Sequence, residues 1–254
     1  MADALRSLRL GGGDPALVCL RALDAEGLSL SLLVGPHRTA EPLWCRPELS
    51  ARFEELQFTL GEGPGPDAVR TGSPVVEPDL RRVRLGRWPV LLPLALEMGV
   101  HGVCCFPLGV GAVRVGVLTM LCDADRRLSE QQQADATALA AALTGAFLNA
   151  EQRGGTTGDG NVSALRMMLE WPSELHRAVV HQATGMISVQ LGVPMDTALL
   201  RLRTHAYGSE RPLGEVAEDV VARRLRFNDD FDDDFNDDFD DDKSGPFSPD
   251  GGKG

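Results

Sequence analysis

The stretch HRAVVHQATGMISVQLGVPMDTALLRLRTHAYGSERPLGEVAEDVVARRLR, from His176 to Arg226, decides the reading of this chain. It holds three short helical patterns joined by tight breaks, with arginines on the polar faces. The first runs from Glu174 and Leu175 through Ala178, Val179, Gln182, Ala183, Met186 and Ile187 to Gln190, its apolar members recurring three and four apart. Gly192 ends it, and Pro194 stands where a helix starts well. Ala198, Leu199, Leu202 and Ala206 repeat the spacing in a second helix closed by Gly208, and Pro212 opens a third with Leu213, Val216, Ala217, Val220 and Val221 inward. Glycine in mid-helix costs about 1 kcal/mol against alanine, so Gly185 beside Ala183 predicts the close approach of another backbone. A module this small has no room for a deep catalytic cleft. It suits the presentation of a surface to something long and charged.

Along this stretch the chain resembles the ANTAR module, a three-helix RNA-binding domain of bacterial transcription antiterminators. Gln182-Ala183-x-Gly185 matches the first-helix motif, Asp196-x-Ala198 the opening of the second helix and Leu202-Arg203 its leucine–arginine pair. Arg211-x-Leu213 and Val216-Ala217 match the third helix. Thr184 stands where the family usually has lysine, which removes a charge-assisted phosphate contact from that position. The resemblance implies a partner RNA: hairpin loops in nascent transcripts, commonly a tandem pair gripped by a homodimer. Sequence-specific RNA recognition targets unpaired loops, while basic groups hold the backbone. The candidate contacts are Arg203 and Arg211 for phosphate, with Gln182 and Thr184 as hydrogen-bonding groups near them. Arg201, Arg223, Arg224 and Arg226 widen the basic surface, although each arginine taken alone also reads as a solvated helix face. His176 and His181 are one residue too far apart to align on a helix as a metal pair.

Charge is unevenly spread. The chain carries −12, but residues 228–254 hold eleven Asp against two Lys, so that segment accounts for −9 and the remainder for −3. Between Trp171 and Phe227 seven Arg face six acidic residues, a near-neutral balance and a weak electrostatic footprint for a nucleic-acid binder. A dimer doubles the arginines on one face. The acidic segment, NDDFDDDFNDDFDDDKSGPFSPDGGKG, cannot build a core and is expected to be disordered. It reads either as a solubilising tail or as a nucleic-acid mimic covering the adjacent Arg223-Arg224-Leu225-Arg226, with Phe227, Phe231, Phe235 and Phe239 recurring every fourth residue. No apolar run approaches the roughly 20 residues that span a bilayer, and the N-terminus lacks a signal-peptide core. No membrane partner and a cytoplasmic location are therefore expected. The five cysteines agree: Cys19, Cys104, Cys105 and Cys122 fall in apolar, strand-like runs, read as reduced buried thiols, and no Cys-x-x-Cys occurs.

The first part of the chain is a different object. Ala16 to Ala22 and Leu28 to Val34, around a turn at Asp24–Gly27, read as strand, hairpin and strand. Helical patterns follow at Phe53–Leu56, up to Arg70, and at Trp88–Met98. Val75–Val76, Val103–Leu108 and Val113–Leu121 read as strands, and Ser129 caps a long helix through Asn149. The fold class is α+β: an antiparallel sheet with flanking helices, then an all-α three-helix bundle and the acidic tail. The sheet region resembles a GAF domain, carried by GEGP at Gly61–Pro64, Asp67 to Val75, Asp79-Leu80, Arg87-Trp88-Pro89, Gly99-Val100, Phe106-Pro107-Leu108 and Gly116-Val117-Leu118. Gly65 stands where ANTAR-paired relatives often have cysteine, so thiol chemistry is absent there. The resemblance implies a small-molecule effector pocket or a dimerising sensor surface, without naming a ligand, and no cofactor is assigned. Trp88, His101 and Cys104 are the ligand-binding candidates, set against a plain reading of Trp88 as core and His101 as loop. Cys104 and Cys105 point to opposite faces of their strand, and Cys104 and Cys122 are candidates to meet across neighbouring strands. No catalytic or metal motif occurs, so an enzyme is not expected. The expected organisation is a GAF-like sensor at 14–152, a flexible Gly-rich linker at 153–162, an ANTAR-like domain at 163–227 and a tail at 228–254. Together these imply a signal-responsive transcription antitermination regulator. The other reading keeps the regulator but gives the helical module a protein partner in place of RNA.

Overall fold

In the computed structural model, residues 14–34, 39–123, 128–153 and 177–228 are described. Two compact units divide between Arg177 and Ala178. The expected linker beyond Arg153, the residues ahead of Arg177 and the tail beyond Asn228 lie outside the described residues.

The first unit contains α1 (Pro15–Leu23), β1 (Gly27–Val34), β2 (Thr39–Arg46), α2 (Glu48–Leu60), α3 (Pro64–Thr71), β3 (Val75–Glu77), α4 (Leu91–Glu97), β4 (Gly102–Val110), β5 (Val113–Cys122) and α5 (Glu130–Arg153). Its strands form an antiparallel sheet in the order β2-β1-β5-β4-β3. The expectation of a strand at Ala16–Ala22 is corrected: this segment is α1. Asp14 caps it, its side chain accepting from the Ala16 and Leu17 amides, and Pro15 pre-sets the first turn. Ala16, Cys19 and Leu23 are all buried, a three-and-four spacing that a strand does not produce. The partner of β1 is instead β2, whose polar and proline-containing sequence hides its strand character.

Helices cover both faces of the sheet. Under α1 and α5 lie Leu28, Leu30, Cys104, Phe106, Leu108, Leu118, Met120 and Cys122. Under α2, α3 and α4 lie Val75, Val103, Cys105, Val117 and Leu121 with Phe53, Ala68, Trp88 and Leu92. β4 and β5 are therefore apolar on successive residues, one to each layer, rather than alternating with polar ones. Cys104 and Cys105 do point into opposite layers.

The GEGP turn is built by packing and capping. The Glu62 carboxylate accepts from the Val90 and Leu91 amides and so closes the start of α4. Gln57 Oε1 accepts from the Gly65 amide, and a Cβ on Gly63 would meet Gln57 at 2.6 Å. Gly63 also sits at φ +139, where only glycine is at ease. Ser129 and Gln132 form a reciprocal capping box on α5: Ser129 Oγ accepts from the Gln132 amide, and Gln132 Oε1 from the Ser129 amide, each at 3.1 Å.

Candidate nucleic-acid interface

The second unit is built from α6 (Ala178–Leu191), α7 (Met195–Gly208) and α8 (Leu213–Val221), each packed on the other two. Its core takes Val180, Ala183, Thr184 and Ile187 from α6, Ala198, Leu202 and Ala206 from α7, and Leu213, Val216, Ala217 and Val220 from α8. Phe227 closes it. Only 4% exposed, it meets the His205 ring edge-on at 5.5 Å, and its amide donates to Gln190. Phe227 is thus a core residue of this unit and not the head of a tail stripe. Gly185, expected to admit a neighbouring backbone, faces open space: a Cβ there meets nothing within 4 Å.

The expected RNA-contacting residues fall in three situations. Gln182 is exposed on α6. Thr184 is buried, and its hydroxyl donates to the Val180 carbonyl at 2.7 Å, so it is part of the core and not of a surface. Arg201 and Arg203 are half-buried on either flank of the solvent-facing stripe of α7, which carries Leu200, Thr204 and Tyr207. Arg211, Arg223, Arg224 and Arg226 are exposed around the α7–α8 turn and the end of α8, with Arg223 in the left-handed region at φ 61.

The residue that organises this end is Asp219, which the sequence reading did not single out. Its carboxylate accepts from Arg211 at 2.7 Å and from Arg224 at 2.7 Å, drawing together two arginines thirteen positions apart. Hydrogen bonds from Arg211 and Arg224 hold the Asp219 carboxyl below its ordinary range. The Asp219 carbonyl also accepts from the Arg224 and Leu225 amides, fixing the chain as it leaves α8. The only hint in the sequence was that Asp219 is flanked on both sides by arginine-bearing breaks. His205 lies beside this cluster; burial, and then Arg211, push its imidazole below the usual histidine range.

In the sheet domain Trp88, His101 and Cys104 do not converge. Trp88 is buried in the α2–α4 layer, where its Nε1 donates to Asp67 at 3.2 Å and Arg87 lies over its ring at 4.3 Å. His101 is exposed. Cys104 belongs to the opposite layer. The three are not one pocket, and the plain reading of Trp88 as a core aromatic is the one the fold uses. Cys104 does meet Cys122, sulfur to sulfur at 4.0 Å. No group of three or more His, Cys, Asp or Glu able to hold a metal occurs among the described residues. Among them, too, no helix is long and apolar enough to cross a membrane.

Residues 175–221 match the family model of the ANTAR domain. No curated protein matches the chain. Solved structures similar to it include the GAF domain of a phosphoenolpyruvate-protein phosphotransferase from Coxiella burnetii, at 17% identity over 61% of this chain and 96% of that one, TM-score 0.45. The corresponding domain from Acinetobacter is 14% identical over 61% of this chain and 97% of that one, TM-score 0.44. A GAF domain/HD domain protein from Geobacter sulfurreducens is 14% identical over 60% and 95%, TM-score 0.43. Similarity at this level carries no function. The fold of the first unit rests on its own sheet order and register. In this chain a five-stranded antiparallel sheet domain is therefore followed by a helical segment, residues 175–221, that matches the ANTAR family model.

Proposed function

We propose that this protein is a signal-responsive, RNA-binding regulator of transcription antitermination, in which the sheet domain senses an effector and the helical unit grips RNA hairpin loops as a homodimer. The observation that carries the reading is the ANTAR match at residues 175–221, supported by the clustering of Arg211 and Arg224 on Asp219 at one end of the helical unit. Arg203, Arg211 and Arg224 serve as the phosphate contacts, with Arg201, Arg223 and Gln182 at the margins. Thr184 is left out because its hydroxyl is spent inside the core.

A protein partner is the second reading, and one feature favours it: Leu200 and Tyr207, 60% and 62% exposed, lie on one stripe of α7. Binding of the full chain to structured transcripts across a salt series separates the two. RNA binding driven by phosphate neutralisation weakens steeply with salt. Arg203→Ala and Arg211→Ala are each expected to weaken binding and to reduce the slope of log affinity against log salt by about 1. Absence of hairpin binding at low salt overturns the RNA reading in favour of a protein partner.

A further inference from the structure

Three sulfur-bearing side chains share one face of the sheet at the end of the β4–β5 pair. Cys104 stands directly opposite Met120, and Cys122 follows Met120 by two residues, which returns it to the same face. All three are buried in the layer beneath α1 and α5. None of the five cysteines is in a disulfide. Cys122 and Met120 are among the residues lining a small cleft of about 90 Å³ whose walls also include Asp24, Glu26 and Asp123.

The spacing has a chemical meaning. Two bonds of about 2.3 Å, the length of a metal–thiolate bond, bridge the 4.0 Å between the Cys104 and Cys122 sulfurs at about 120°. That is the angle of a three-coordinate centre, and Met120, opposite Cys104 in the register, carries a thioether on the same face of the sheet. A four-donor zinc set does not exist here, since the described His, Cys, Asp and Glu offer no group of three. Soft thiolate and thioether donors select monovalent copper over hard cations.

We propose that Cys104, Cys122 and Met120 form a binding site for a soft monovalent metal ion of the copper(I) class. On binding, two sulfur–metal bonds replace two S–H bonds, and both protons leave to water. No electron is transferred. The filled centre carries one net negative charge. The acidic mouth at Asp24, Glu26 and Asp123 raises the local concentration of the cation. The site does not depend on the RNA reading of the second unit.

The test uses the full-length protein, reduced and oxygen-free, titrated with copper(I) held by a competing chelator. One copper per chain is expected, with sulfur neighbours at about 2.3 Å by X-ray absorption. Cys104→Ala and Cys122→Ala should each weaken binding by more than the roughly 100-fold that loss of an outer-shell partner costs. Met120→Leu, a volume-conserving exchange that keeps the layer packed, should weaken it by roughly 10- to 100-fold. Cys45→Ala, on β2 and away from the three sulfurs, should leave it unchanged. If the cysteine variants do not fold, Met120→Leu and the wild-type absorption spectrum decide. Failure of the wild type to take copper from the chelator overturns the site. So does nitrogen or oxygen coordination, or full binding in Cys104→Ala or in Met120→Leu.

Discussion

Asp219 shows how one carboxylate sets the electrostatics of a surface. It binds Arg211 and Arg224 at once, so part of the basic charge at this end is neutralised within the unit. Its depressed pKa means that the folded state favours the ionised form. That stability is present above the unfolded carboxyl pKa and is lost as pH falls through the folded one. Asp219→Asn is therefore expected to melt below wild type at neutral pH, with the gap closing in acid. Melting curves at pH 7 and in strong acid check it; a gap that persists in acid contradicts the assignment. His205 works in the other direction of charge. Burial against Phe227 holds its pKa below the ordinary value of 6.5, so the unfolded state binds the proton more readily. Its contribution is complete above pH 6.5 and is lost as pH falls toward the folded pKa. The loss of melting temperature between pH 8 and pH 5 should be smaller in His205→Gln than in wild type. Equal losses would show that another group carries the effect. Neither role was legible in sequence, because Asp219 and His205 look like ordinary helix-surface residues until folding brings Arg211, Arg224 and Phe227 to them.

The helices show what periodicity resolves and where it slips. The existence of α6, α7 and α8 and the breaks between them were readable from Gly192, Pro194, Gly208 and Pro212, while the expected start of the first helix at Glu174 lies outside the described residues. The phase of α6 was not: the buried face is Val180, Ala183, Thr184 and Ile187, whereas Ala178, placed inward by its apolar character, is exposed. A threonine reads as surface, yet this one satisfies its hydroxyl on the preceding turn and packs by its methyl group. Gly185 was read as a close-packing site, and its surroundings are open. Gly185→Ala is accordingly expected to stabilise the second unit, by about 1 kcal/mol; a lower melting temperature would mean that the glycine serves an unseen contact. At the opposite extreme, α5 depends on its capping box. Ser129→Ala should cost about 0.5–2 kcal/mol, measurable by chemical unfolding, whereas Ser129→Asp, an equally good cap, should keep most of the wild-type stability. For α1 the same periodic logic failed because apolar residues every three or four positions were mixed with others, and only the Asp14-Pro15 start signalled a helix.

At the scale of the whole molecule, charge dominates. The net −12 is concentrated in residues 228–254, which carry −9 immediately after the arginine-rich end of α8. Deleting those residues is expected to tighten RNA binding at low salt, with the difference shrinking as salt screens the charges. Affinity that does not move at any salt would leave the tail a solubilising one. By itself the sequence determined the division into a mixed sheet domain and a helical module, the breaks between the helices of that module and the apolar runs of β4 and β5. Those are local properties, written in spacing, turn residues and composition. Only the tertiary structure decided that β1 pairs with β2, that Thr184 and Phe227 are core, that Trp88, His101 and Cys104 stand apart, and that Arg211 and Arg224 converge on Asp219. These are contacts between residues distant along the chain or on faces whose orientation depends on what packs against them. Their partners are set by the packing of whole elements, and no local pattern in the sequence encodes it.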